Sequence, residues 1–233
     1  MSETKNNKIR WVPLESNPQV MNRMLRRLGV AEGYSFNDIW GLDPELLAMV
    51  PQPCLAVLLL FPITPAYERH FQEERSQPPT HTNPHQVFFM KQTIGNACGT
   101  MAVLHALINA RDRLSIKPDG PLQRFMERAL EEEDPAVRAS LLENSEELAD
   151  AHRDSAAQGQ TEAPDAETAT NLHFVCLVPV GGRLVELDGR KDQPIDHGPC
   201  TDVLTDSARV AKEFMARDPD NVQFNLVSLG PMP

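Results

Sequence analysis

The sequence predicts an α+β domain, and three observations carry that reading. Four segments open with helix-start chemistry: Asn17-Pro18, Asp43-Pro44, Pro121 and Asp134-Pro135. Proline is tolerated at the first helical position, and Asn or Asp before it caps the free N–H groups. Five short runs read as strands: Leu55–Phe61, Gln86–Lys91, Leu172–Val180, Arg183–Asp188 and Gln223–Leu229. Helices and strands do not alternate strictly, which argues against a doubly wound parallel sheet.

In chain order, the first helix follows Asn17-Pro18, carries Met21, Met24, Leu25 and Leu28 on one stripe, and stops at Gly29. A short helix begins at Asp43-Pro44 and ends before Pro51. The run Cys54–Phe61 is eight apolar residues between Pro53 and Pro62. It is too short for a membrane span, which needs about 20 residues, and reads as a buried strand. Phe71–Pro84 is polar and proline-bearing and reads as a loop. Pro121 opens a helix with Leu122, Phe125, Met126, Ala129 and Leu130 at helical spacing, and Asp134-Pro135 opens the next. Ala151–Thr170 is small and polar without apolar period, so it reads either as a lid or as a variable insertion. Gly181-Gly182 joins two strands as a hairpin turn, and a last helix runs from about Thr205 to Arg217.

Composition bounds the function. Of 233 residues, 41% are hydrophobic and 24% charged, as in a globular domain. The net charge of −11 argues against nucleic acid or an acidic membrane as partner. Nearly all of it lies in Glu127–Thr170, with thirteen acids and three bases. Solvated helix faces account for such a run, and steering of a basic substrate is the sharper alternative. The N-terminus lacks a secretory signal, and the four cysteines show no C-x-x-C spacing. A soluble, monomeric protein of the cytoplasm, with the nucleus as a second compartment, is the expectation, with no cofactor and no metal.

The informative segment is FFMKQTIGNACGTMAVLHALINA, Phe88–Ala110. Cys98 precedes a run apolar on most faces, the mark of a buried central helix. A cysteine at such a helix start meets free N–H groups and the positive end of the dipole, which favour thiolate and would also hold an oxyanion. Cys54 and Cys176 lie in apolar strand runs and read as packing residues, and Cys200 lies in a loop without a partner signal. A thiolate needs a base. His70, His81, His85 and His152 fall in polar segments and read as exposed. The His81–His85 spacing lacks further metal ligands. His105 is seven residues along the same helix, about 10 Å away by helical rise and out of reach. His173 begins LHFVCLVPV, and Asp188 ends RLVELD. With a two-residue Gly181-Gly182 turn, Asp188 faces Val175, and His173 sits diagonally beside it on the same face. A slip of one residue would separate them. Gln92 at a strand end supplies an amide donor on the side opposite the helix N–H groups.

These residues carry a resemblance to a known family. The order Q-x5-C-G, L-H-F and E-L-D-G-R, together with WVPLESNP, GLDPELLAMVPQP, AVLLLFPIT, AQGQTEAP, ELDGRKDQPIDHG and FMARDPD, is similar to the ubiquitin C-terminal hydrolases, the papain-like deubiquitinases. The chain is most like their short, single-domain, L-type members, and only Glu68–His85 matches poorly. The resemblance implies a papain-like α–β–α sandwich over residues 1–233, with a mostly antiparallel sheet and a knotted backbone. It implies Cys98 as nucleophile, His173 as base then acid, Asp188 as its orienter, and Gln92 with the Cys98 N–H as oxyanion hole. Ala151–Thr170 then matches the active-site crossover loop. Pro13, Leu14 and Leu172 match positions that touch ubiquitin, and Glu15 and Asp38 are the candidates to meet arginines of its tail.

The implied activity is hydrolysis of small or flexible adducts from the C-terminal glycine of ubiquitin, with Nedd8 as a second substrate. Two alternatives stand beside it: a module that sequesters free ubiquitin with little turnover, and a papain-like peptidase of general specificity, which would need an open cleft.

Overall fold

A computed structural model describes residues 9–75, 87–160 and 170–233. Its centre is a six-stranded sheet of β1 (Tyr34–Asp38), β2 (Ala56–Pro62), β3 (Leu172–Val180), β4 (Arg183–Leu187), β5 (Ile195–Pro199) and β6 (Asn225–Pro231). The spatial order is β1-β6-β2-β3-β4-β5, and every neighbouring pair is antiparallel. Around it lie α1 (Pro18–Arg27), α2 (Pro44–Leu47), α3 (Pro65–Arg75), α4 (Cys98–Asn109), α5 (Pro121–Ala129), α6 (Pro135–Glu143), α7 (Glu146–Ala156) and α8 (Val203–Ala216).

β2 and β3 are apolar throughout because both faces are covered. On β2, Ala56 and Leu58 face the core formed with α1, α4 and α5, while Val57, Leu59 and Phe61 face the core formed with α3 and α8. α4 is buried from Cys98 to Ile108 and packs along β3. No described helix is long and apolar enough to cross a membrane.

The proline-marked helices form where their ends announce them. The Asn17 side chain accepts the Gln19 N–H at 2.8 Å and the Asp134 side chain accepts the Ala136 N–H at 2.8 Å. The hairpin register pairs Val180 with Arg183 and Cys176 with Leu187. Gly181 and Gly182 take φ of 57° and 76°, the positive angles of the turn that matches strand twist.

Several expectations need correction. Residues 87–91 form no strand, and Gln86 lies outside the described residues. Their backbone groups are taken elsewhere: Phe88 N–H donates to Asn109 Oδ1, Met90 N–H to His105 Nε2, and the Phe89 carbonyl accepts from Arg138. Phe71–Arg75, read as loop, is the end of α3, and 76–84 lies outside the described residues. Ala151–Ala156 is helical, the last turns of α7, because Ser145 caps that helix and Leu148, Ala151 and His152 give it a buried face. Residues 161–169 of the expected crossover loop lie outside the described residues. The final helix starts at Val203, capped by Asp202, and the last strand is shifted to Asn225–Pro231. β1 and β5 were not expected. Both are edge strands, short and partly exposed, so their apolar signal is weak.

Candidate active site

Cys98 is the first residue of α4. The chain reaches it through Asn96, whose φ of 61° is left-handed and turns the loop into the helix. The arm before α1 holds this loop from outside: Trp11 N–H donates to the Gly95 carbonyl and Gly95 N–H to the Ile9 carbonyl, both at 2.9 Å.

His173 lies at the start of β3 and Asp188 just past β4, and Nε2 of the ring is 2.7 Å from Asp188 Oδ1. The diagonal expected from the two-residue turn is the observed one. Strand alternation puts His173 with Val175 and Leu177 on the α3/α8 face, whereas Cys98 comes from the α4 face. They meet at the start of β3, where His173 and the backbone of Phe174 and Gly99 all draw the thiol toward its ionised form. With Nε2 on Asp188, Nδ1 is the ring atom left for sulfur.

Burial alone would raise the Cys98 thiol, but the hydrogen bond and charge of His173 more than offset it and pull the thiol below its ordinary value. Burial alone would lower His173, but Asp188 and Cys98 push it up to about 10. Asp188, fully buried, is held below the usual carboxylate range by His173 despite burial. The arrangement favours a thiolate–imidazolium pair, a nucleophile ready for acyl transfer.

Gln92 lies in the loop before Cys98. Its backbone N–H donates to the Gly189 carbonyl at 2.9 Å and Nε2 to the Ile94 carbonyl at 3.2 Å. One Nε2–H remains for a ligand, and buried Oε1 has no hydrogen-bond partner among the described residues.

A cleft of about 400 Å³ opens onto Cys98. Pro13, Leu14 and Glu15 of the arm line one side, and Leu172 and Phe174 of β3 line the other. Four of the five expected substrate-contact residues therefore meet at one place. Asp38 does not line it; it ends β1 opposite Val227. The acids of the charged segment do not gather here either. Glu147, Asp150 and Asp154 pair with Arg124, Arg153 and Arg27 on helix surfaces, and Glu15 is the carboxylate at the cleft. Acids at 162, 165 and 167 lie outside the described residues.

Of the other histidines, His152 is buried rather than exposed: its ring bridges Thr100 Oγ1 at 2.7 Å and the Val12 carbonyl at 2.9 Å. His70 is half-buried, and His81 and His85 lie outside the described residues. His197 bonds Glu186 at 2.8 Å. No cluster of metal-ligating side chains occurs among the described residues. Cys54 and Cys176 are packed thiols that burial pushes up, Cys54 to about 12.

Sequence reasoning placed Ala156 and Thr170 in the loop over the cleft but missed Ser16, Leu60, Phe174 and Asn225 in its wall, and Tyr67, whose hydroxyl donates to Asp188 Oδ2 at 3.0 Å. The Thr64-Pro65 step, a cap followed by proline, was the available signal for the helix that carries Tyr67.

The family described as "Ubiquitin carboxyl-terminal hydrolase, family 1" matches residues 11–216. Ubiquitin carboxyl-terminal hydrolase 3 of Arabidopsis thaliana is 43% identical over 233 residues, covering 98% of this chain and 97% of the relative. A probable ubiquitin carboxyl-terminal hydrolase of Dictyostelium discoideum is 42% identical, covering 97% and 89%. The catalytic domain of Trichinella spiralis UCH37, solved bound to ubiquitin vinyl methyl ester, has the same fold, with a TM-score of 0.76 at 23% identity and 96% of each chain covered. The chain belongs to family 1 of the ubiquitin carboxyl-terminal hydrolases.

Proposed function

We propose that this protein is a thiol hydrolase that cleaves adducts from the C-terminal glycine of ubiquitin. The observation that carries the reading is Cys98 at a helix start, under the influence of a His173 ring bonded to Asp188 at 2.7 Å, beside an apolar cleft. Family membership and the ubiquitin adduct on a protein of the same fold support ubiquitin as the acyl donor.

The Cys98 thiolate attacks the carbonyl carbon of the terminal glycine. The oxyanion is met by the Cys98 backbone N–H and the remaining Gln92 Nε2–H. His173, held by Asp188, gives its proton to the leaving group, and a thioester to Cys98 remains. His173 then takes a proton from water, which attacks the thioester and releases ubiquitin. Pro13, Leu14 and Leu172 offer apolar contact to the tail. Glu15 offers a carboxylate to an arginine of it, as does Asp38 from farther out.

Ala156 and Thr170 both line the cleft, which supports the segment between them as the element that selects small or flexible leaving groups. Shortening it should widen the range of leaving groups accepted. Nedd8 is the second substrate we assign, and the working unit is the monomer. The test is a ubiquitin C-terminal fluorogenic amide, repeated with the Nedd8 amide. Wild-type should turn the ubiquitin substrate over and Cys98→Ala should not. Equal rates would end the hydrolase reading and leave sequestration of ubiquitin.

A further inference from the structure

The Asp188 carboxylate is fully buried, and each of its oxygens is spoken for. Oδ1 accepts from His173 Nε2 at 2.7 Å and from the Arg190 N–H at 2.9 Å. Oδ2 accepts from the Tyr67 hydroxyl at 3.0 Å. We propose that Tyr67 is a positioning residue for the hydrolytic reaction, its hydroxyl fixing Asp188 Oδ2 so that Oδ1 faces His173 and the carboxylate charge is shared away from the imidazolium. This rests on the assignment of Cys98, His173 and Asp188 as the reacting series.

The hydroxyl is held in place by its ring. Tyr67 is buried, with ring centroids 4.7 Å from Phe61, 6.2 Å from Phe71 and 6.4 Å from Phe214. The next residue of the same helical turn locks α3 to the loop after Asp188: Glu68 pairs with Arg190 at 2.6 Å, and the Arg190 guanidinium lies over the Tyr67 and Phe71 rings. Burial and the Asp188 charge hold the phenol far above its ordinary range, so it remains a donor. The packing function of the ring and the electrostatic function of the hydroxyl are thus separable. Phenylalanine keeps the first and deletes the second.

The other titratable groups facing this carboxylate are Glu186 on β4, paired with Lys191, Glu68 on α3, paired with Arg190, and His105 on α4, held down to about 4 by burial. Loss of the Tyr67 hydroxyl therefore acts on Asp188 and, through it, on the Cys98–His173 pair. An unshared carboxylate holds the imidazolium more tightly. The ion pair then persists over a wider pH range, while His173 surrenders its proton to the leaving group less readily.

The test compares wild-type, Cys98→Ala and Tyr67→Phe on the ubiquitin C-terminal fluorogenic amide, with alkylation of Cys98 by iodoacetamide measured against pH. In Tyr67→Phe, kcat should fall about tenfold with KM unchanged, as for loss of a hydrogen bond to a charged group. The alkaline limb of kcat/KM should move up, and the alkylation midpoint should move down. A wild-type kcat and unmoved limbs in Tyr67→Phe overturn the proposal, as does a narrowed range, which means a loosened site. Tyr34 and Tyr67 are the two tyrosines of the chain. Fluorotyrosine incorporated in a Tyr34→Phe background therefore keeps the fold and strengthens the Tyr67 donor alone. It should narrow the range, and no change would again overturn the proposal even if Tyr67→Phe does not fold. Alkylation reads the pair without turnover, so an inactive wild-type would sink the hydrolase reading while the role of Tyr67 is still decided.

Discussion

Gly189 is packed against Gln92 so closely that a β-carbon on it would lie 2.7 Å from Gln92 Cβ and 3.0 Å from the Gln92 backbone nitrogen. The same two residues share the hydrogen bond from Gln92 N–H to the Gly189 carbonyl. The residue after Asp188 is therefore the seat on which the loop leading to Cys98 rests.

Gly189→Ala follows directly. The atoms met are backbone and a β-carbon, which have no flexible end to give. Either Gln92 or the Asp188 loop must move, and displacements of about 1 Å at a reacting centre cost roughly 100-fold. We expect kcat/KM on the ubiquitin amide to fall by about that factor. A loss under threefold would show that the contact relaxes without moving the site.

The site electrostatics set a pH profile. Asp188 and Cys98 raise His173 to about 10 against the effect of burial, and His173 lowers Cys98 against the same effect. Activity should fall in acid as the thiolate regains its proton, hold through neutral pH, and fall toward 10 as the imidazolium loses its own. Both midpoints belong to the pair. Asp188→Asn removes the charge that raises His173, so its alkaline limb should move down and kcat fall by roughly 10³ to 10⁴. An unmoved alkaline limb in that variant would contradict the account.

Most of the candidate site's placement was legible because it depends on short-range pattern. Cys98 before an apolar run and two glycines between apolar strands are local signals, and the two-residue turn converted them into the His173–Asp188 diagonal. What stayed hidden depends on tertiary partners. Residues 87–91 have strand composition, yet Asn109, His105 and Arg138 take their backbone groups. His152 sits in a polar stretch, yet Thr100 and Val12 bury it. Tyr67 reaches Asp188 across 121 residues of sequence, with no motif to join them.

His105 and His152 should make the fold acid-sensitive. Both are held neutral, down to about 4 from 6.5, by burial. A base with a lowered folded pKa loses stability as pH falls from 6.5 toward 4, because the unfolded chain takes up the proton first. Each should cost about 2 kcal/mol between pH 7 and 5. His173 works the other way: its raised pKa gives stability complete below 6.5 and lost as pH rises toward 10. The clean measurement is a difference. In urea unfolding, His152→Gln should show about 2 kcal/mol less loss between pH 7 and 5 than wild-type. Equal losses would mean that His152 takes up its proton in the fold without penalty.

Behind the site, Lys191 is 4% exposed and lies 2.7 Å from Glu186 and 2.5 Å from Glu74, and Glu186 also meets His197 at 2.8 Å. Burial would raise Glu186, but Lys191 and His197 hold it well below the carboxylate range. Removing Glu186 leaves the buried ammonium only the partly exposed Glu74 carboxylate, and an under-compensated buried charge costs more than the pair itself contributes. Glu186→Ala should therefore destabilise by about 3 to 5 kcal/mol. Adding Lys191→Met to it should recover part of that loss, because the under-compensated charge is then gone. A double variant less stable than Glu186→Ala would show that Glu74 alone satisfies Lys191. The network would then contribute geometry to the Asp188 loop rather than compensate charge.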